Sequence, residues 1–176
     1  MPKFQLSYGK RVLLVVAGVI GALWLARSVT ETRFYSGAIP SEIELSFGLA
    51  SVGTNWNPAA MLLPRFEACG GAIFGITGAT VAAIETRGLE FFKTATQGRG
   101  STDHHGPTQY QPWEPSPLED NWTRNGTWLG LDCLATYRHS AIMQAAQAPG
   151  SYYAVGRNRM LFVIPSQGIA VYTFRH

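Results

Sequence analysis

A chain of 176 residues with 46% hydrophobic and 12% aromatic content is long enough for one core and too apolar to be disordered. Its formal charge of +3 is unevenly placed: residues 1–30 hold Lys3, Lys10, Arg11 and Arg27 without an acid, while the remainder sets ten Lys/Arg against eleven Asp/Glu. No basic patch is left to neutralise phosphates, so nucleic acid is excluded as a partner and the basicity reads as a topology signal.

The N-terminal segment carries that signal. Val12–Ala26 is fifteen apolar residues without interruption, behind Lys3, Lys10 and Arg11 and ahead of the first acid, Glu31. As a helix it rises about 22 Å, short of a hydrocarbon core of about 30 Å. Extending it through Arg27, Ser28 and Val29 gives a tilted or locally thinned span. A secretory signal fits the same residues, with Ala26-Arg27-Ser28 as a cleavage site. Trp24, suited to a bilayer interface, favours a retained anchor. The excess of Lys and Arg before the segment places residues 1–11 in the cytosol, 12–29 in the membrane and 30–176 on the outer, periplasmic or extracytoplasmic side. Ala17 with Gly21, and Gly18 with Ala22, set small residues four apart, a spacing that lets membrane helices approach closely.

Downstream, Glu42–Leu49 alternates polar and apolar and predicts a half-buried strand with Ile43, Leu45, Phe47 and Leu49 inward. Asn55-Trp56-Asn57-Pro58 predicts a turn into a short helix that Pro64 ends. Ala68–Ile84 is a second uncharged run, but its glycines and threonines dilute it below what insertion needs. Within it, Gly71 and Gly75 make a lone G-x-x-x-G, but Cys69-Gly70-Gly71 reads as a loop or tight strand edge rather than a dimer face. Val81, Ile84, Gly88 and Phe91 follow helical spacing and predict an amphipathic helix over about 79–94. Residues 95–120, with four prolines and three glycines, show no periodicity and read as an arm. Tyr110 and Trp113 within it are candidates for partner contact, the commoner alternative being that such aromatics fold back on their own domain.

Asp132 is positioned to cap a helix reaching about Gln147, with Leu131, Leu134, Ala141, Ile142 and Ala145 on one face. Tyr152–Val155, Arg159–Ile164 and Ile169–Phe174 predict an antiparallel meander. Met160–Ile164, apolar at every position, reads as covered on both faces. The fold class is α+β: one transmembrane helix, then a small outer domain with two or three helices and a C-terminal meander. Cys69 and Cys133 fit a disulfide in an oxidising compartment, contributing about 4 kcal/mol by the chain-entropy model, or two buried thiols.

Reaction chemistry is sparse. No H-E-x-x-H, P-loop, EF-hand loop, G-x-G-x-x-G or G-x-S-x-G occurs. Asp103-His104-His105 is the one titratable cluster, and a metal there would need His139, His176 or Asp132 from elsewhere. No histidine in Val12–Ala26 offers itself to a tetrapyrrole, and no cofactor is expected. Asn121-Trp122-Thr123 and Asn125-Gly126-Thr127 match the glycosylation triplet.

Gly150–Gly156, followed by Met160–Pro165 and Ile169-Ala170-Val171, resembles the final strands of β-lactamase-like serine hydrolases. Some two dozen of 176 residues carry that resemblance. It implies architecture only, because those enzymes need a Ser-x-x-Lys nucleophile and Lys3, Lys10 and Lys93 are the chain's only lysines. The expected function is a non-catalytic, single-pass accessory subunit that stabilises or organises a larger membrane complex, respiratory or photosynthetic assemblies among them. Its expected partners are integral membrane subunits and the lipid bilayer. Two alternatives stay open: an anchored hydrolase-like enzyme using His104 or His105 with Ser101, and an exported binding module cut after Ser28 with its ligand near Trp113 or Trp122.

Overall fold

The computed structural model describes residues 8–46, 51–54, 69–103, 106–118, 131 and 138–175. These form a mixed α+β protein around a six-stranded antiparallel sheet. In chain order the strands are β1 (Ser51–Thr54), β2 (Cys69–Gly75), β3 (Gln97–Asp103), β4 (Gly106–Gln109), β5 (Glu114–Pro115), β6 (Tyr152–Gly156), β7 (Arg159–Ile164) and β8 (Ile169–Arg175). The large sheet runs β1-β2-β8-β7-β6-β5, and β3 pairs with β4 as a separate hairpin. The helices are α1 (Tyr8–Ser36), α2 (Gly78–Arg87), which continues as a 3-10 turn over Gly88–Phe92, and α3 (His139–Gln147).

The meander is built by period-two alternation between two cores. Leu161 and Val163 of β7 point to one face with Ala154, Ala170, Tyr172 and Phe174. Met160, Phe162 and Ile164 point to the other with Tyr153, Ile169 and Val171. The first face is covered by α2, the 3-10 turn and the end of α1, through Ile84, Phe91, Phe92 and Tyr35. The second is covered by α3, through Ile142 and Ala146, with Leu118 and Leu131. Every residue of β7 is buried, because a strand with helices on both faces has no wet side. Register is held at both turns. Asn158, at a φ of 57°, closes β6 onto β7, and Gly168, at 62°, closes the Pro165–Gln167 turn into β8.

Cys69, at the start of β2, is disulfide-bonded; the chain's other cysteine, Cys133, lies outside the described residues. Gly70 and Gly71 stand in the middle of the sheet, paired to β1 on one side and β8 on the other, where a loop or edge is expected. The expected helix over 79–94 exists but divides. Gly88 adopts φ +55°, which ends the α-helix, and the tighter 3-10 turn then carries Phe91 and Phe92 inward. The helix expected from Asp132 is described only from His139, residues 132–137 lying outside the described part. The turn and short helix expected over 55–64 also lie outside it.

Two expectations need correction. The eight-residue strand over Glu42–Leu49 does not form across its described part: residues 42–46 make one bridge, Leu45 to Ile76. The alternation is nevertheless real, since Ile43 is fully buried and Leu45 packs on the same core. Instead of joining a ladder, the segment is strapped to the start of α2. Thr77 N–H donates to Glu44 O at 2.9 Å, and Glu44 N–H donates to Thr80 Oγ1 at 3.2 Å.

The second correction concerns α1. Among the described residues no helix is long and apolar enough to cross a membrane. All 29 residues of α1 rise about 43 Å, yet its uninterrupted apolar stretch supplies only about 22 Å of that, against about 30 Å of hydrocarbon. The helix continues past the residues assigned to the anchor. It runs on to Ser36 and enters the core.

Candidate functional site

The most unusual surface belongs to α1. Val12, Leu13, Leu14, Val15, Val16, Val19, Ile20, Leu23 and Leu25 are all exposed, Leu13 to 70%. A single exposed leucine needs no explanation, but a run of this length on one helix does. Apolar side chains point in every direction around the axis, so the helix has no polar face to give to water. Ala17, Gly18, Gly21 and Ala22 are exposed as well. Nothing lies within 4 Å of where a Cβ would stand on Gly18 or Gly21. The small-residue faces read from the sequence are thus open, with no described part of this chain against them.

Among the described residues, the part of α1 seen to pack on the domain core is its last turn. The Tyr35 ring stacks on Phe174, with centroids 5.6 Å apart, and tilts against Tyr172 at 6.1 Å, docking the helix on β8. Beyond it the helix tightens: Gly37 N–H is shared between Arg33 O and Phe34 O, and Ala38 N–H donates to Tyr35 O. Residues 37–43 then run along β3 at backbone distance. A Cβ on Gly98 would stand 2.6 Å from Gly37 O and 2.8 Å from Ala38 O, so only glycine permits the approach.

Polar bonds lock that seat. Arg99, on β3, donates Nε to Ile39 O at 3.0 Å and Nη2 to Pro40 O at 2.8 Å and Ile43 O at 2.5 Å. One guanidinium fork thus satisfies three carbonyls of an irregular segment that has no ladder of its own. Burial lowers the Arg99 pKa from its ordinary value, and the nearby Glu42 and Glu44 carboxylates oppose the shift. Tyr110 adds a further bond, donating its hydroxyl to Ala38 O at 2.9 Å. Burial, with Tyr172 adding and Arg159 opposing, raises its phenol pKa well above the ordinary value.

Of the two readings of Tyr110 and Trp113, partner contact or folding back, the structure has them turned into their own domain. Trp113 is only 5% exposed and donates Nε1 to Ala95 O at 2.7 Å. The arm that carries them folds back as β3, β4 and β5; its prolines interrupt helical periodicity without preventing short pairings. Asp103 closes β3, while His104, His105, His176, Asp132, Trp122 and both glycosylation triplets lie outside the described residues. Among the described residues no three His, Cys, Asp or Glu side chains come together to hold a metal.

Sequence reasoning missed Arg99, Tyr35 and Gly98. A lone arginine between two glycines, Gly98-Arg99-Gly100, was the available signal: the glycines admit a neighbouring backbone and the arginine binds it. Comparison with protein-family models, with curated proteins and with solved structures found no match for this chain. The likeness of the meander to hydrolase strands thus stands on those strands alone.

Proposed function

We propose that this protein is a non-catalytic accessory subunit of a larger membrane complex, with α1 embedded in the bilayer against helices of its partners. The observation that carries the reading is the apolar surface of Val12–Leu25, exposed on a helix that the described part of its domain meets at the final turn. Lipid or another apolar helix is the environment in which such a surface costs nothing. The shortfall of the apolar stretch against hydrocarbon thickness favours helical neighbours and a locally thinned bilayer over a helix standing alone. The open faces at Ala17, Gly18, Gly21 and Ala22 give those neighbours a place to approach.

The direction of the chain follows the distribution of lysine and arginine, which puts the N-terminus in the cytosol and the folded domain outside. The rigid junction around Arg99 and Tyr35 suits a subunit that must hold its domain at a fixed attitude to a complex. Purification of the full chain from its native membranes in mild detergent, followed by mass spectrometry, tests the proposal. Stoichiometric membrane partners are expected; a free, monodisperse chain would overturn it.

A further inference from the structure

Apart from α1, Leu89 is the one large apolar side chain exposed among the described residues, at 42%. It stands at the mouth of a cleft of about 210 Å³, also lined by Glu90, Phe92, Lys93, Thr96, Pro112 and Trp113. The cleft lies between the 3-10 turn and the arm, and its deep wall is already set. Phe92 stacks on Trp113 with centroids 4.3 Å apart and packs on Tyr152 at 4.9 Å, and the indole is fixed by its bond to Ala95 O. An occupant would find the aromatic surface in place, with no rotamer to reorganise.

Size and charge restrict that occupant. An apolar cavity of about 150 Å³ accepts a benzene ring, so this one has room for a single ring or a compact fused pair. The only charges on the lining are Glu90 and Lys93, and they neutralise each other in an ion pair at 2.6 Å. A charged ligand would surrender hydration and gain no net partner. Thr96 supplies a neutral polar side chain beside the apolar wall.

We infer that the cleft beside Trp113 binds one small uncharged ring compound of the phenol or indole kind, carrying at most one hydroxyl or N–H. The site is independent of the membrane role, since it belongs to the outer domain alone and its test needs no partner subunit.

Saturation-transfer NMR on the full chain in nanodiscs, with phenol, indole, benzoate and benzylamine as probes, decides it. Phenol and indole are expected to bind saturably with a Kd of about 1 mM or tighter, and benzoate and benzylamine at least about fivefold more weakly. Leu89→Trp, at an exposed position, fills the cleft and is expected to weaken phenol and indole at least about tenfold. Gln147→Ala, exposed on α3 across the sheet from the cleft, should stay within about threefold of the parent. Both variants contain the same lipid, so partition into the bilayer cancels. Equal binding to Leu89→Trp with an unchanged thermal midpoint, no saturation of either neutral ring, or benzoate binding as tightly as phenol would each overturn the assignment.

Discussion

Met160–Ile164 and Val12–Leu25 look alike in the sequence, each a stretch that offers no charge to water. In the structure the first is covered on both faces by α2, α3 and their neighbours, and the second is covered by nothing described in this chain. The difference shows that apolar continuity measures a need for cover without naming its source. For β7 the need is met inside the domain, because a strand alternates and each of its two faces is covered by helical elements. For α1 the apolar surface wraps the whole axis, and the described part of the domain, which meets its last turn, does not reach it. Among the described residues nothing supplies that cover, which is why the proposed function looks to lipid and partner helices for it.

Charging the helix is the strongest way to break that contrast. Val16→Lys together with Ile20→Lys places two cations one turn apart in the apolar stretch, at about 5–7 kcal/mol for the pair on an insertion scale. The chain should then leave the alkali-resistant membrane fraction while its domain keeps the parent's thermal midpoint. Retention in that fraction would mean that a surface other than α1 holds the protein there. The opposite intervention acts on β7. Leu161 is fully buried, and Leu161→Ala should cost about 2–5 kcal/mol in urea unfolding of the detergent-held chain, with membrane retention unaltered.

Much of the framework was legible for physical reasons that act locally. The meander could be read because each of its strands is short, apolar and closed by Gly, Asn or Pro. The amphipathic helix could be read because Val81, Ile84 and Phe91 keep one face. Glu42–Ser46 misled because alternation reports burial of every second side chain, not hydrogen bonding. Ile43 is buried by a segment pinned to α2 and β3 rather than by a ladder. For Tyr110 and Trp113 the two readings could not be separated, because prolines describe the backbone around an aromatic and not the direction of its ring. The seat of α1 escaped altogether. Tyr35 meets Phe174, and Arg99 meets Ile39, across separations that no local pattern records.

That seat can be loosened without touching either apolar stretch. In Gly98→Ala the new methyl must displace the carbonyls of Gly37 or Ala38, both of them backbone, at an overpacking cost of about 1–3 kcal/mol. A lower thermal midpoint is expected, with faster hydrogen exchange at the amide of Arg99, which donates to Ile39 O. Membrane retention should not change. If exchange there stays slow, the junction is held by Tyr35 and Arg99 without need of the glycine contact.

The smallest effect comes with a pH signature. Tyr110→Phe leaves Ala38 O without its donor and should cost about 1 kcal/mol near neutral pH. Because burial raises the folded-state pKa, the native protein favours the protonated phenol. That preference contributes fully below about pH 10, where the unfolded chain's tyrosine is also protonated, and is lost as the pH climbs through the higher folded value. The parent's stability should therefore fall more steeply above about pH 10 than that of Tyr110→Phe, so that the two curves converge. Parallel curves would show that the Tyr110 hydroxyl ionises as freely in the folded domain as outside it, and the link between the arm and the end of α1 would then be packing alone.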